Sequence, residues 1–161
     1  MDLTEGKLHS FHPATSAVET RTFDEPVCAV APHADGRLLV AFAKRIAWVD
    51  WDSGKITETV CVIEPDLPGN RANDGKLDPA GRFWIGTMSA DGSVEAAGAL
   101  YRLDGNTLTR VLDRLTIANG LGWTADTRNM FFIDSPTREV WAFYFDPSNS
   151  CLLYTSDAAD E

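Results

Sequence analysis

A polar turn followed by an apolar strand recurs three times along the chain. Asp35-Gly36-Arg37 leads into the apolar residues 38–41, Ala80-Gly81-Arg82 into 83–86, and Thr127-Arg128-Asn129 into 130–133. Arg37, Arg82 and Arg128 are 45 and 46 residues apart. A second strand ending on an acid also recurs, over residues 46–50, 99–104 and 140–146, closed by Asp50, Asp104 and Asp146. Residues 108–112 and 141–145 are rich in β-branched and aromatic side chains, which favour the pleated strand. Asp35-Gly36, Asp91-Gly92 and Asp104-Gly105 supply hairpin turns. Seven of the eight prolines, Pro13, Pro32, Pro65, Pro68, Pro79, Pro136 and Pro147, punctuate the segments and leave little room for long helices. A seven-strand sandwich also accommodates many short strands but does not predict the recurrence. Repeats of about 40–50 residues, each with several short strands, are the mark of propeller blades, which bury their faces by stacking around an axis. The pattern therefore predicts an all-β β-propeller with about three blades present. A closed ring needs ~4–8 blades, so the repeat count predicts part of a ring, with exposed faces that favour aggregation.

Composition narrows the partners. Of 161 residues, 44% are hydrophobic and 24% charged, as in an ordinary globular protein, and the formal net charge is −10. Such an acidic chain lacks the clustered Lys and Arg that nucleic acid or an anionic membrane demands. The longest apolar run, residues 38–43, is far short of the ~20 needed to span a bilayer. No basic, then apolar, leader opens the chain. Cys28, Cys61 and Cys151 have no metal or redox spacing and read as free thiols in a reducing compartment, although two could pair in an oxidising one. The expected location is cytoplasmic. The last eleven residues stand apart. Residues 151–156 back-translate, in one choice of codons, to the end of a transposon sequencing adapter. Residues 1–150 are thus expected to be the partial propeller and 151–161 a non-native tail. Without Asp157, Asp160 and Glu161 of that tail the net charge would be −7.

The densest polar constellation is Asn70-Arg71-Ala72-Asn73-Asp74-Gly75-Lys76, and Ala118-Asn119-Gly120-Leu121 follows one repeat later. Asn73 lies nine residues before Arg82, and Asn119 nine before Arg128. Equal phase in a propeller means equal height and distance from the axis, so the two carboxamide oxygens would face one axial point. Hard oxygen ligands suit Ca²⁺ or Mg²⁺, less often Zn²⁺. On spacing alone the rival reading is stronger: Asn-Asp-Gly and Asn-Gly are also turn residues chosen for positive φ. Other chemistry is absent. There is no Gly-x-Ser-x-Gly elbow and no phosphate loop. The segment from Asp50 fails as a calcium loop because Cys61 stands where a Glu is needed. His9, His12 and His33 read as surface residues, the five tryptophans as packing, and Asp78 to Arg82 as a structural turn.

Residues 70–88, with 98–103, 117–123 and 132–135 following in order, resemble the regucalcin, gluconolactonase and luciferin-regenerating-enzyme family. The resemblance is strong over 70–147 and weaker over 1–69. It implies a six-bladed propeller of about twice this length, with one divalent metal at the axis. It implies Asn73 and Asn119 as metal ligands, and Arg71 and Asn73 as contacts to a sugar-like substrate. Asp91 aligns without gaps to a substrate-contacting Glu of some members, yet Asp91-Gly92 reads equally well as a turn. The implied metal is Ca²⁺ first, with Zn²⁺, Mg²⁺ or Mn²⁺ as alternatives. The implied function is hydrolysis of a small sugar lactone, and the alternatives are a non-catalytic calcium- or partner-binding propeller and an ester hydrolase with another substrate. Two ligands of the family have no counterpart here: an early Glu, and a later Asp that also serves as general base. Neither Glu5 nor Asp134 has the context to replace them. The chain alone is therefore expected to be poorly soluble, to bind metal weakly and to be inactive.

Overall fold

The computed structural model describes residues 1–157, whose ordered elements are strands in antiparallel sheets and one short 3₁₀ segment, Ser135–Thr137. A hairpin of β1 (Lys7–His12) and β2 (Ala17–Thr22) precedes three four-stranded sheets. The first holds β3 (Val27–Pro32), β4 (Arg37–Phe42), β5 (Arg45–Asp50) and β6 (Lys55–Val62) in chain order. The second holds β7 (Asn70–Leu77), β8 (Phe83–Ser89), β9 (Gly98–Asp104) and β10 (Thr107–Leu115). The third holds β11 (Ala118–Trp123), β12 (Asn129–Asp134), β13 (Trp141–Asp146) and β14 (Cys151–Asp157). The tail expected to be non-native thus falls partly on β14, which pairs with β13, and partly on residues 158–161, outside the described residues.

The repeated turns have a common cause. In each, an Asp side chain accepts the backbone N–H of the Arg at the start of the second strand or just before it. Asp35 Oδ1 receives Arg37 at 3.0 Å, Asp78 Oδ1 receives Arg82 at 3.0 Å, and Asp126 Oδ1 receives Arg128 at 3.1 Å. The side chain does the work of a backbone turn bond, so the strand starts at a defined residue.

Side-chain alternation then divides each sheet between two interfaces. Leu39 and Ala41 face the second sheet, while Val40 and Phe42 pack toward the hairpin with Leu8, Val27 and Val49. Phe83 and Ile85 face the first sheet, while Trp84 faces the third with Leu100, Met130, Phe132, Phe143 and Phe145. Both faces of β8 are covered, and all seven of its residues are buried. This is why its first four residues, 83–86, form a continuous apolar run rather than an alternating one. The outermost strands β2, β6 and β10 are mostly exposed, and each carries several polar or charged residues. Trp84, Trp123 and Phe145 meet with ring centroids 5.9–6.3 Å apart, so these aromatics act as packing. His33 stays half-exposed, paired with Asp35 at 2.8 Å and set edge-on to Trp48. The first strands β3, β7 and β11 stand side by side, β7 in the middle, so the sheets fan out from one line.

Candidate functional site

The first strand of every four-stranded sheet carries a bulge, and the three bulges are in the same place. In β3 the pairing slips between Val27 and Ala29, in β7 between Ala72 and Gly75, and in β11 between Asn119 and Leu121. A bulge leaves its residue out of the ladder and re-aims the side chain. The residues left out are Cys28, the pair Asn73-Asp74, and Gly120, next to Asn119, which still pairs with Ile133. Asn73 and Asn119 therefore stand on neighbouring strands in equivalent irregularities.

The turn reading of Asn73-Asp74-Gly75 does not hold, because all three lie within β7 and none has a positive φ. Gly75 is required by close approach instead. A Cβ there would lie 2.6 Å from the Trp84 carbonyl oxygen and 2.8 Å from Ile85 Cδ1. At the second site the turn reading is partly right. Gly120 has φ +62°, and its N–H bends back to Asn119 Oδ1 at 3.2 Å.

Side chains of β7 grip β11 on both sides of Asn119. Asn73 Nδ2 donates to the Ala118 carbonyl at 3.0 Å, and Asp74 Oδ2 accepts the Gly120 N–H at 2.9 Å. Asp74 Oδ1 also takes the Gly75 N–H at 2.8 Å. Sequence reasoning does not single out Asp74, though it stands inside the motif. Its partner is 46 residues away, and spacing alone does not reveal that pairing.

Arg71 lies half-buried beside Asn73. Its Nη1 donates to Asn73 Oδ1 at 3.0 Å and to the Ala72 carbonyl at 2.8 Å, and its Nε reaches the Ala90 carbonyl at 3.4 Å. The guanidinium thereby joins Asn73 to the loop after β8. Asp91 stands in that loop, fully exposed. Its Oδ1 accepts Ser89 Oγ at 2.7 Å, the Ser93 N–H at 3.0 Å and Ser93 Oγ at 2.7 Å. These bonds hold its carboxyl well below the usual carboxylate range. They are the bonds of a tight turn, with that oxygen directed at its own loop. Asn119 is exposed, and its Nδ2 reaches Ser135 Oγ at 3.3 Å. Asp134 is buried, and both its oxygens accept backbone N–H groups, of Thr116 at 2.9 Å and Ile117 at 2.7 Å. It is a strap for the chain entering β11.

The third equivalent position belongs to Cys28, which sequence reasoning reads only as a free thiol. Its spacing of 45 residues from Asn73, equal to the recurrence, is the signal that could have found it. Burial pushes its thiol up to about 11, against the nearby positive charge of Arg71. That leaves about one Cys28 in a thousand ionised at pH 8. In a thiol titration of the folded chain at pH 8, exposed Cys151 is expected to react fast and Cys28 last. Denaturant should make all three react together. Rapid reaction of Cys28 in the folded chain would contradict its burial.

The donor chemistry here fits a hard divalent cation in kind but not in number. Asn73 and Asn119 each offer a carboxamide oxygen, and each such oxygen has a second lone pair. Calcium takes ~6–8 oxygens. Among the described residues there is no group of three or more His, Cys, Asp or Glu side chains placed to hold a metal.

Comparison with known proteins matches residues 1–160 to the family described as the SMP-30/Gluconolactonase/LRE-like region. Regucalcin of Danio rerio is 37% identical over 148 residues, covering 91% of this chain and 50% of the relative. Among solved structures, a luciferin-regenerating enzyme superposes with a TM-score of 0.91 at 31% identity, over 98% of this chain and 54% of that one. A calcium-binding protein, regucalcin, from Agrobacterium tumefaciens superposes with a TM-score of 0.88 at 26% identity, over 96% and 52% of the two chains. The chain spans about half the length of the curated relatives it matches.

Proposed function

The chain belongs to the SMP-30/gluconolactonase/LRE-like family, and from that premise we propose that it carries the lactone-orienting half of a divalent-metal-dependent lactonase. On this reading each four-stranded sheet is a propeller blade, and about three blades are present. The observation that carries the proposal is the pair of equivalent bulges on β7 and β11. They set Asn73 and Asn119 on adjoining strands, with Arg71 bonded to Asn73 at 3.0 Å.

Asn73 and Asn119 would hold the metal through their carboxamide oxygens, with Ca²⁺ favoured because both ligands are hard and neutral. When bound, the metal supplies Lewis acidity at the lactone carbonyl. Arg71 orients the substrate by charge-assisted hydrogen bonds to its carbonyl or hydroxyl oxygens. Asp74 and the Asn73 amide keep the two strands at fixed separation, so the two oxygens stay preorganised. Asp91 flanks the substrate side of Arg71 through the Ala90 loop. Water adds to the carbonyl carbon, the ring C–O bond breaks, and a hydroxycarboxylate and a proton leave. Two neutral ligands do not fill a calcium shell, so the 161-residue chain alone should bind metal weakly and turn over little. The substrate is a small sugar lactone, and neither nucleic acid nor a membrane is involved.

The test is acid release from an aldonolactone in a pH-stat, on the chain and on a full-length form of it. Full-length protein should hydrolyse the lactone, lose the activity to a chelator and regain it with Ca²⁺. Calcium binding by the full-length protein with no hydrolysis of any lactone would favour the second reading, a non-catalytic calcium-binding propeller. The regucalcin neighbour described as a calcium-binding protein keeps that reading in play.

A further inference from the structure

The segment that delivers Arg71 and Asn73 to the site is poorly held by apolar packing. Between β6 and β7, residues 65–69 are all exposed, and Leu67 is 42% exposed. Two successive turns form it, closed by the Leu67 N–H on the Glu64 carbonyl at 3.0 Å and the Asn70 N–H on the Leu67 carbonyl at 3.0 Å. Glu64 lies in the left-handed region at φ +45°, a conformation a non-glycine residue keeps only when its surroundings enforce it.

The enforcing group is 20 residues upstream. Lys44, in the turn between β4 and β5, sends Nζ to the carbonyls of Glu64 at 2.9 Å, Leu67 at 2.9 Å and Asn70 at 3.2 Å. An ammonium has three N–H donors, and here three carbonyl oxygens meet them. The three acceptors fall at every third residue, one at each corner of the double turn. Without the cation, three carbonyl dipoles would converge on one another. The same turn adds two backbone ties: Ile63 donates to the Lys44 carbonyl at 2.8 Å, and Ala72 donates to the Ala43 carbonyl at 2.8 Å. From the other side the buried Glu64 carboxylate takes Asn70 Nδ2, Thr87 Oγ1 and Tyr101 OH, each at 2.9 Å.

We infer that Lys44 is a positioning residue for the site. Its ammonium gathers the carbonyls of Glu64, Leu67 and Asn70 and so fixes the start of β7, from which Arg71 and Asn73 project. The inference rests on the reading of Arg71 and Asn73 as site residues, and its test does not depend on activity.

Lys44→Ala leaves a hole the size of propylammonium facing three carbonyls. In hydrogen exchange on the full chain, the amides of Asn70 and Ala72 should exchange at least tenfold faster in this variant. Core amides of Ile85 and Leu100 should stay within twofold of wild type. Added propylammonium should restore protection at Asn70 and Ala72, and tetramethylammonium, which has no N–H, should not. Lys44→Met, which keeps most of the stem, serves if the alanine variant does not fold, and should show the same local loss. Unchanged exchange at Asn70 and Ala72, equal acceleration at all four amides, or equal rescue by both cations would overturn the inference. In full-length protein the variant should also lower kcat for lactone hydrolysis, restored by propylammonium. If wild type hydrolyses no lactone, the lactonase reading fails while the exchange result still decides the role of Lys44.

Discussion

Alanine in place of Asn73 in full-length protein is expected to lower calcium affinity and lactone hydrolysis together, each by ~100-fold. Changes one shell away from a metal already cost 10–100-fold, and Asn73 has three tasks. Its Oδ1 is the proposed metal oxygen and accepts Arg71, and its Nδ2 donates to the Ala118 carbonyl. Asn73→Asp separates them, because aspartate keeps the acceptor oxygen and puts a second, charged oxygen where the Nδ2 donor to Ala118 stood. Calcium affinity should survive in that variant while hydrolysis falls. Asn119→Ala gives the control for stability. Asn119 is exposed and its side chain makes two long bonds, to Ser135 Oγ at 3.3 Å and from the adjoining Gly120 N–H at 3.2 Å, so the change should move unfolding by no more than ~0.5 kcal/mol. It should nevertheless weaken calcium as Asn73→Ala does. Isothermal titration with Ca²⁺ and pH-stat kinetics on the three variants decide the matter. Wild-type calcium affinity in both alanine variants would remove the carboxamides from the metal site.

The largest effect on stability is expected at the opposite end of β7, where Asp78 has a side chain with no exposed surface. Its Oδ2 accepts Arg82 Nε at 2.8 Å, Trp84 Nε1 at 3.0 Å and Ser150 Oγ at 3.4 Å, and its Oδ1 accepts the N–H groups of Ala80 at 2.9 Å and Arg82 at 3.0 Å. Arg82 goes on to the Pro147 carbonyl at 2.6 Å, and Arg102 meets the Asn149 carbonyl at 2.9 Å, so the second and third sheets are clamped here. Asp78→Ala strands a largely buried guanidinium, an indole N–H and two amides. Breaking a buried pair by removing one partner costs about 3–5 kcal/mol. At about 3 kcal/mol the fall in Tm for a chain of this size is ~6–12 °C. Burial raises the Asp78 carboxyl, but the bonds from Trp84 and Arg82 outweigh it, and the net displacement is downward. A depressed carboxylate contributes stability above its unfolded pKa and loses it as pH falls through the folded one. The difference between wild type and Asp78→Asn should therefore be full at pH 7 and shrink below about pH 4. Urea melts at the two pH values measure it, and a gap that widens in acid would contradict the assignment.

Much of this is legible in the chain itself. The Asp–Arg turns and the apolar runs after them are local features, decided by side chains reaching two to four residues along the backbone. They recur at 45 and 46 residues because every sheet repeats the same four-strand hairpin series. The same recurrence puts Asn73 and Asn119 in phase. Spacing alone leaves them divided between turn and site. For Gly75 the turn reading falls to a contact with Trp84 and Ile85, which belong to another strand.

What stays dark in the sequence depends on groups brought together from far along the chain. A bulge is a slip in pairing between two strands, so the 45-residue spacing puts Cys28 in phase with Asn73, and the registers of three sheets show that it occupies the same irregularity. Asp74 meets Gly120 one repeat away, a bond that the shared phase does not specify, and Lys44 meets Glu64, Leu67 and Asn70 across separations that no periodicity encodes. The sequence by itself determined the strands, their turns and the phase of the polar residues, because short-range bonds and side-chain alternation decide those. Only the tertiary structure decided which side chains hold one another, because that follows from the stacking of whole sheets.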